Sequence, residues 1–350
     1  MNAEELATNL AQRKIVKKVS FDSITLEGIE ARRAVFVEVE FKKVVFKNVK
    51  FIASVFEKCR FEQVTFEACD MQLCTVISCT LNHLTSTQTN WSSSMFQLNE
   101  GAISLHATES NFSKSKLLGH HLQKSHFKNC TLNQTNLSKC DLSECVFMNT
   151  TMEKITAKNT RFVSVLFDTV NLTAANFQAS EFNKIKFNHC NLFRSLFIDA
   201  KIYESDFSVA SGIKQINLFK ATINQTTFKG MDLAPAVLQK TQLNGVDFSH
   251  CHLNQCNLSQ SQINHCLFVA ADLTQSLFEE SEIQNSSFTK AVLNYARFNN
   301  SYLTACDFSE SKLNLASLHH VTEEQVNWAH AECDNVLKTN PELLEAEQWS

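Results

Sequence analysis

The chain has 350 residues, with 28 Phe against 3 Tyr and 3 Trp, 13 Cys, and only 6 Gly and 2 Pro. So few Gly and Pro leave little material for tight hairpins, which disfavours an antiparallel sandwich. A net charge of -4 excludes both a basic nucleic-acid binder and a strongly acidic decoy. The charge is unevenly spread, net positive over residues 1–60, close to neutral over 61–210 and net negative over 211–350, a polarity that can steer docking without naming a partner.

The opening segment, MNAEELATNLAQRKIVKK, lacks a continuous apolar core of the kind a secretory leader needs. No later stretch approaches a membrane span. The expectation is a cytoplasmic protein with no membrane partner. Leu6 and Leu10 lie one helical turn apart, so residues 1–18 are expected to form a short helical cap.

Beyond the cap a large apolar residue recurs at every fifth position, in three blocks: Phe21 to Phe96, Phe112 to Phe207, and Leu218 to Leu318. Of these central positions only Ala31, Ser86 and Ala157 are not Leu, Phe, Ile, Val, Met or Trp, and Phe193 and Phe219 are the only phenylalanines off the pattern. Neither the helical period of 3.6 nor the strand period of 2 divides it. The position two residues before each centre is small or aliphatic throughout, as in Val39, Val44, Ser54, Cys59, Ser276, Ala291 and Cys306, with His120 the one outlier. Each pentad therefore directs one large and one small side chain inward. Asp or Asn often precedes the centre (Asp70, Asn136, Asp141, Asn176, Asp232, Asp247, Asp272, Asp307), but Val35, Val45 and Val55 stand there early on, which suggests a less regular N-terminal face.

This pattern resembles the pentapeptide-repeat family, whose motif is a small residue, Asp or Asn, then Leu or Phe, then two variable residues. The resemblance implies an all-β fold, a right-handed parallel quadrilateral β-helix with one pentad per side. Over residues 19–318 that gives about 14 coils. The register slips by one residue in 97–111 and again in 208–217, where Gly101 and Gly212 allow a bulge or a loop. Irregularities on a rigid frame often carry recognition, so Glu100, Gly101, Glu109, Gly212 and Lys214 are candidate partner-binding residues.

An open solenoid end needs a cap. Over 319–350, Thr322 and Gln325 read as a capping box opening a helix, with Val326, Ala329, Cys333, Val336 and Leu337 on its apolar side. Pro341 follows, then Leu343, Leu344 and Trp349. The resemblance implies that a C-terminal segment of this kind mediates dimerisation, so Val326, Leu337, Leu343, Leu344 and Trp349 are candidate cap or homodimer contacts.

Little in the sequence carries chemistry. Twelve of the 13 Cys occupy the small inward position, where Cys acts as a small hydrophobe, and Cys333 falls in the C-terminal segment. His120-His121 and His250-Cys251-His252 resemble metal pairs, but adjacent residues on a strand point to opposite faces. No Gly-rich phosphate loop or activated nucleophile is present. The expectation is a protein that is not an enzyme, with no cofactor or metal and no direct nucleic-acid contact, binding another protein. The resemblance implies two specific partners. One is DNA gyrase, bound by quinolone-resistance relatives as dimeric DNA mimics; the other is a component of a bacterial secretion system of type VI kind.

Overall fold

The structure is a computed structural model that describes residues 3–98 and 103–347. The chain divides into two compact units, residues 1–176 and 177–350. Each is a parallel β-solenoid, and together they form about 15 coils.

In the first unit a helix α1, Ala3–Ala11, buries Leu6 and Leu10. The solenoid starts earlier than the pentad pattern suggested, because Val16–Lys17 already pairs with Phe36–Val37. From there each residue stacks on the one 20 positions away: Phe21 faces Phe41, Phe41 faces Phe61, and Phe36 faces Phe56. Twenty residues make four pentads, so four central side chains meet in every coil. Phe36, Phe41, Phe46 and Phe51 fill one coil edge-to-face, at 5.2–5.9 Å between neighbouring centroids, and stack on the rings of the next, as Phe46 does on Phe66 at 5.0 Å. Such pairs add about 0.5–1.5 kcal/mol to the burial of the rings themselves. Ser86, an exception at the centre, makes room for Trp91, whose indole N–H donates to Ser86 Oγ at 2.9 Å.

The second unit repeats the plan with a different filling. Phe187, Phe207, Phe228, Phe248, Phe268, Phe288 and Phe308 form a single file of rings 4.5–5.2 Å apart, ending on Trp328. One face in each coil is a strand, from Glu181–Asn183 through Gln242–Asn244 to Thr322–Glu324.

Two local devices explain the repeat. Many inward Cys, Ser and Thr donate to a carbonyl of the coil before: Cys74 Sγ to Phe51 O at 3.2 Å, Ser94 Oγ to Met71 O at 2.6 Å, Thr135 Oγ1 to Phe112 O at 2.7 Å. The position therefore selects a short side chain with a donor as well as a small one. Outward Asp and Asn accept the N–H two residues on, as Asp272 Oδ1 does from Thr274 (3.1 Å) and Asn136 Oδ1 from Ser138 (3.0 Å). Where it occurs, that acceptor pairs a donor at the point where the chain bends directly after the centre. Accordingly, among the described residues, Asp and Asn before a centre occur in bending pentads and not in strand pentads. Val35, Val45 and Val55 lie in strands, so the N-terminal faces they occupy are regular ladders, Val35 paired with Val55, contrary to the irregularity suggested by sequence. Two residues after each centre the backbone turns through the left-handed region, as at Lys43, Asn48, Lys240 and Gln255.

The expected helix after 319 is a further coil. Thr322–Glu324 pairs with Tyr302–Thr304, and Asn327, Glu332 and Leu337 bridge to Asp307, Lys312 and Ser317. Gln325, read as part of a capping box, is a left-handed corner. The small inward positions persist here as Val321, Val326, Ala331 and Val336, but the centres become Glu323, Trp328, Cys333 and Lys338. With no further coil beyond them these centres no longer need to be apolar, which erased the signal. A seven-residue helix α2, Pro341–Glu347, follows.

Candidate binding surfaces

The thiols are absorbed by the core. All twelve inward cysteines are buried and free, while Cys333 is exposed. Burial pushes Cys74 and Cys145 up to about 12 and Cys69 and Cys140 up to about 11, so they stay protonated and unreactive. His120 points inward, with Nε2 3.1 Å from Phe96 O, while His121 points outward. Burial holds the His120 imidazole below its ordinary value. Among the described residues no group of three His, Cys, Asp or Glu is placed to hold a metal.

At the first slip, Leu84 pairs with Leu105 and Phe96 with Leu117, an offset of 21 residues in place of 20. Glu100 and Gly101 lie outside the described residues. Glu109 is not in a loop, because the ladder has resumed by Leu105–Thr108; it occupies a left-handed corner and accepts from Gln88 Nε2 at 2.9 Å.

The second slip is a β-bulge. Ser211 N–H donates to Cys190 O, and Leu192 N–H donates to Gly212 O, so Ser211 and Gly212 both oppose Asn191. A side chain at 212 would come within 3.3 Å of Asn191 Oδ1, which is itself engaged by Phe193 N–H at 3.0 Å. The bulge opens a groove of about 600 Å³ lined by Phe193, Ser211, Gly212, Lys214, Met231 and Asp232, among others. Lys214 Nζ meets Asp232 Oδ2 at 2.7 Å on its lip, so it is held by an ion pair and not by a loop. Of the two off-pattern phenylalanines, Phe193 lines the groove and Phe219 lies on the next face round, each half-buried beneath a cation: Arg194 over Phe193 at 4.9 Å and Lys220 over Phe219 at 5.3 Å. The departure of these two rings from the five-residue period is the signal the sequence holds for them as surface features.

Of the candidate cap contacts, Val326 takes a small inward position of the last coil and Leu337 is 55% exposed. Leu344 is half-buried on α2, while the side chain of Leu343 and all of Trp349 lie outside the described residues. Trp328, not singled out from the sequence, closes this end by stacking on Phe308 and donating from Nε1 to Glu323 at 2.9 Å.

A second groove, of about 520 Å³, runs along one corner of the first unit. It crosses four successive coils, with Arg13, Lys14 and Ile15, then Arg32, Arg33 and Val35, then Ile52 and Ala53, then Leu73. Ile15 and Leu73 are 58% and 53% exposed.

A parallel solenoid with four pentads per coil, a large and a small residue inward in each, defines the class. Residues 120–197 and 241–318 match the description "pentapeptide repeat region" and residues 216–255 match "pentapeptide repeats", so the chain belongs to the pentapeptide-repeat family. Residues 9–100 also match the description of the SV2A/B/C luminal domain. Among solved structures, trypsin-treated QnrB1, a plasmid-mediated fluoroquinolone resistance protein, is 14% identical over 71% of this chain and 97% of its own, with a TM-score of 0.25. HetL, involved in heterocyst differentiation regulation in the cyanobacterium Nostoc sp. strain PCC 7120, is 14% identical over 65% of this chain and 89% of its own, with a TM-score of 0.20. Rfr23 from the cyanobacterium Cyanothece 51142 is 16% identical over 41% of this chain and 90% of its own, with a TM-score of 0.17. No curated protein matches.

Proposed function

We propose that this chain is a non-catalytic scaffold that binds another protein, in a reducing compartment such as the cytoplasm. The observation that carries the reading is the second bulge, where the coil register is interrupted to open a groove lined by Phe193 under Arg194, with Phe219 under Lys220 on the next face round. Aromatic and arginine side chains on a rigid frame are what protein interfaces use as anchors. Buried free thiols with raised pKa values suit structure better than chemistry and fit a reducing compartment.

The charge pattern argues against the gyrase-binding, duplex-mimicking alternative. Opposite charges stack from coil to coil, as Lys18 with Glu38, Lys50 with Glu30, Lys184 with Glu204 and Lys290 with Glu310. Duplex DNA instead carries one negative charge per about 1.7 Å without interruption. No observation favours a secretion-system component over any other protein partner.

The test is crosslinking capture from a lysate of the source cells with wild type, a Phe193→Ala/Phe219→Ala double variant, and Tyr295→Ala as an exposed aromatic control. A defined partner set that drops at least tenfold with the double variant and persists with the control is expected. Capture that is identical for all three would sink the reading. A supercoiling assay on purified gyrase, run alongside, is expected to register no inhibition.

A further inference from the structure

The corner groove of the first unit is basic at one end and apolar at the other. Arg13, Lys14, Arg32 and Arg33 rim it, and Ile15, Val35, Ile52, Ala53 and Leu73 line it. Arg32 is paired with Glu30 at 3.2 Å, whereas Arg13, Lys14 and Arg33 have no carboxylate partner among the described residues. Along the axis the groove spans three intervals between coils, about 14 Å at the usual strand spacing of about 4.8 Å. Exposed arginines beside an apolar channel of this length match a short acidic segment with large apolar side chains.

The chain carries such a segment. Residues 339–350 read TNPELLEAEQWS, with Glu342, Glu345 and Glu347, no basic residue, and Leu343, Leu344 and Trp349 as apolar side chains. Its helix, Pro341–Glu347, is about 10 Å long at about 1.5 Å per residue. It therefore fits within the groove. The two surfaces belong to the oppositely charged ends of the sequence, residues 1–60 net positive and 211–350 net negative.

We infer that residues 339–350 of one copy dock in the groove bounded by Arg13, Arg33, Ile52 and Leu73 of a second copy. The glutamates meet the unpaired arginines and the leucines cover Ile52, Ala53 and Leu73. The contact joins two different patches, so each added copy presents a free groove and a free tail, and association propagates head to tail until the rotation closes a ring or the chain of copies ends. This differs from a dimer made by two C-terminal ends meeting each other. It goes beyond the scaffold reading, since it uses neither Phe193 nor Phe219.

Sedimentation velocity on three chains tests it: the full chain, a chain ending at residue 338, and a full-length Arg33→Glu/Leu73→Glu variant. Both substituted side chains are exposed, so matching circular dichroism and melting curves are expected. The full chain should grow past two copies as concentration rises, while each altered chain stays monomeric. Mixed, the two altered chains should form a one-to-one complex and stop, because one supplies only a groove and the other only a tail. Self-association of the groove variant equal to that of the full chain, or no complex on mixing, would overturn the inference. A labelled peptide of residues 339–350 gives an independent measurement on the shortened chain. Binding is expected to weaken severalfold with Glu342→Gln/Glu345→Gln/Glu347→Gln and with rising salt, and binding indifferent to both would equally overturn it. Partner capture through Phe193 and Phe219 is scored separately, so either reading can fail alone.

Discussion

The first coils of the N-terminal unit and those of the C-terminal unit build one repeat in two ways. In the coil containing Phe36, three of four pentads are strands, Val35–Val37, Glu40–Lys42 and Val45–Lys47, and every centre from Phe36 to Phe51 is a phenylalanine. In the coil containing Phe268, one pentad is a strand, Gln262–Asn264, and aliphatic centres separate the rings. The strand-rich coils satisfy their backbone through the ladder and leave outward positions open to Val, Thr and charged residues. The bending coils carry Asp and Asn beside many of their bends, as at Asp272, although Leu267 and Leu277 take the same place in the same coil. Surface chemistry in this fold thus follows corner geometry.

The largest effect expected from that contrast is in the aromatic core. Truncating a buried ring costs about 3–5 kcal/mol. Phe41→Ala should fall at the upper end, because Phe41 contacts Phe21, Phe36, Phe46, Phe56 and Phe61. Phe268→Ala should fall lower, since its ring neighbours are Phe248 and Phe288 in file and Phe278 beside it, with aliphatic centres elsewhere. Denaturant titration of both variants measures this, and equal costs would break the distinction between the two fillings.

Asp272→Ala comes next. It removes hydrogen bonds to Thr274 N and Oγ1 at 3.1 and 2.6 Å and should cost about 1–2 kcal/mol. Thr75→Ala, at the corresponding position of a strand pentad, should change stability by less than about 0.5 kcal/mol. A loss as large for Thr75 would remove the link between acceptor and bend.

Smaller again is a pH effect confined to the first unit. Burial holds His120 below its ordinary value of 6.5. The unfolded chain therefore takes up the proton first, and stability is full above pH 6.5 and declines as pH falls from there towards the folded value. His120→Ser should flatten that decline, read as the difference between the two stability curves from pH 7 to 5.

The smallest effect is shared by both units. Lys240 holds a left-handed backbone with φ of 60°. A non-glycine residue there costs about 1–2 kcal/mol, and glycine gives back about 0.5–1 kcal/mol in unfolded-state freedom. Lys240→Gly should therefore stabilise by about 0.5 kcal/mol, measured as a shift in denaturation midpoint.

The period was legible because it is dictated by the core: every fifth residue faces three others across the same channel, and any polar intruder there would be buried. The two slips were legible for the same reason. Residues 322–337 were misread because the last coil has core on one side only, so Glu323 and Lys338 are tolerated at its centres and Thr322 and Gln325 mimic a helix start. Val321, Val326, Ala331 and Val336 kept the period in the small position and were the better guide. The grooves escaped for another reason. Arg13, Arg33, Ala53 and Leu73 are neighbours only when the chain is written in rows of 20, and outward residues are under no common constraint that would flag them. The donor role of Cys74 or Ser94 was likewise invisible, since size alone explains those residues equally well.

Bulging of Ser211 and Gly212 against a single partner keeps every later residue on its original side of the solenoid despite the extra residue. The same geometry makes five the unit of a different kind of change. Removing one whole pentad from the second unit, such as residues 254–258, would leave large and small residues facing inward as before. Everything following the cut would nevertheless be carried a quarter-turn around the axis, so that the Gln262–Asn264 strand face came to lie where its neighbour had been. In such an architecture, evolution can realign whole surfaces relative to one another by a short in-frame deletion, with the interior almost unaware that anything has moved.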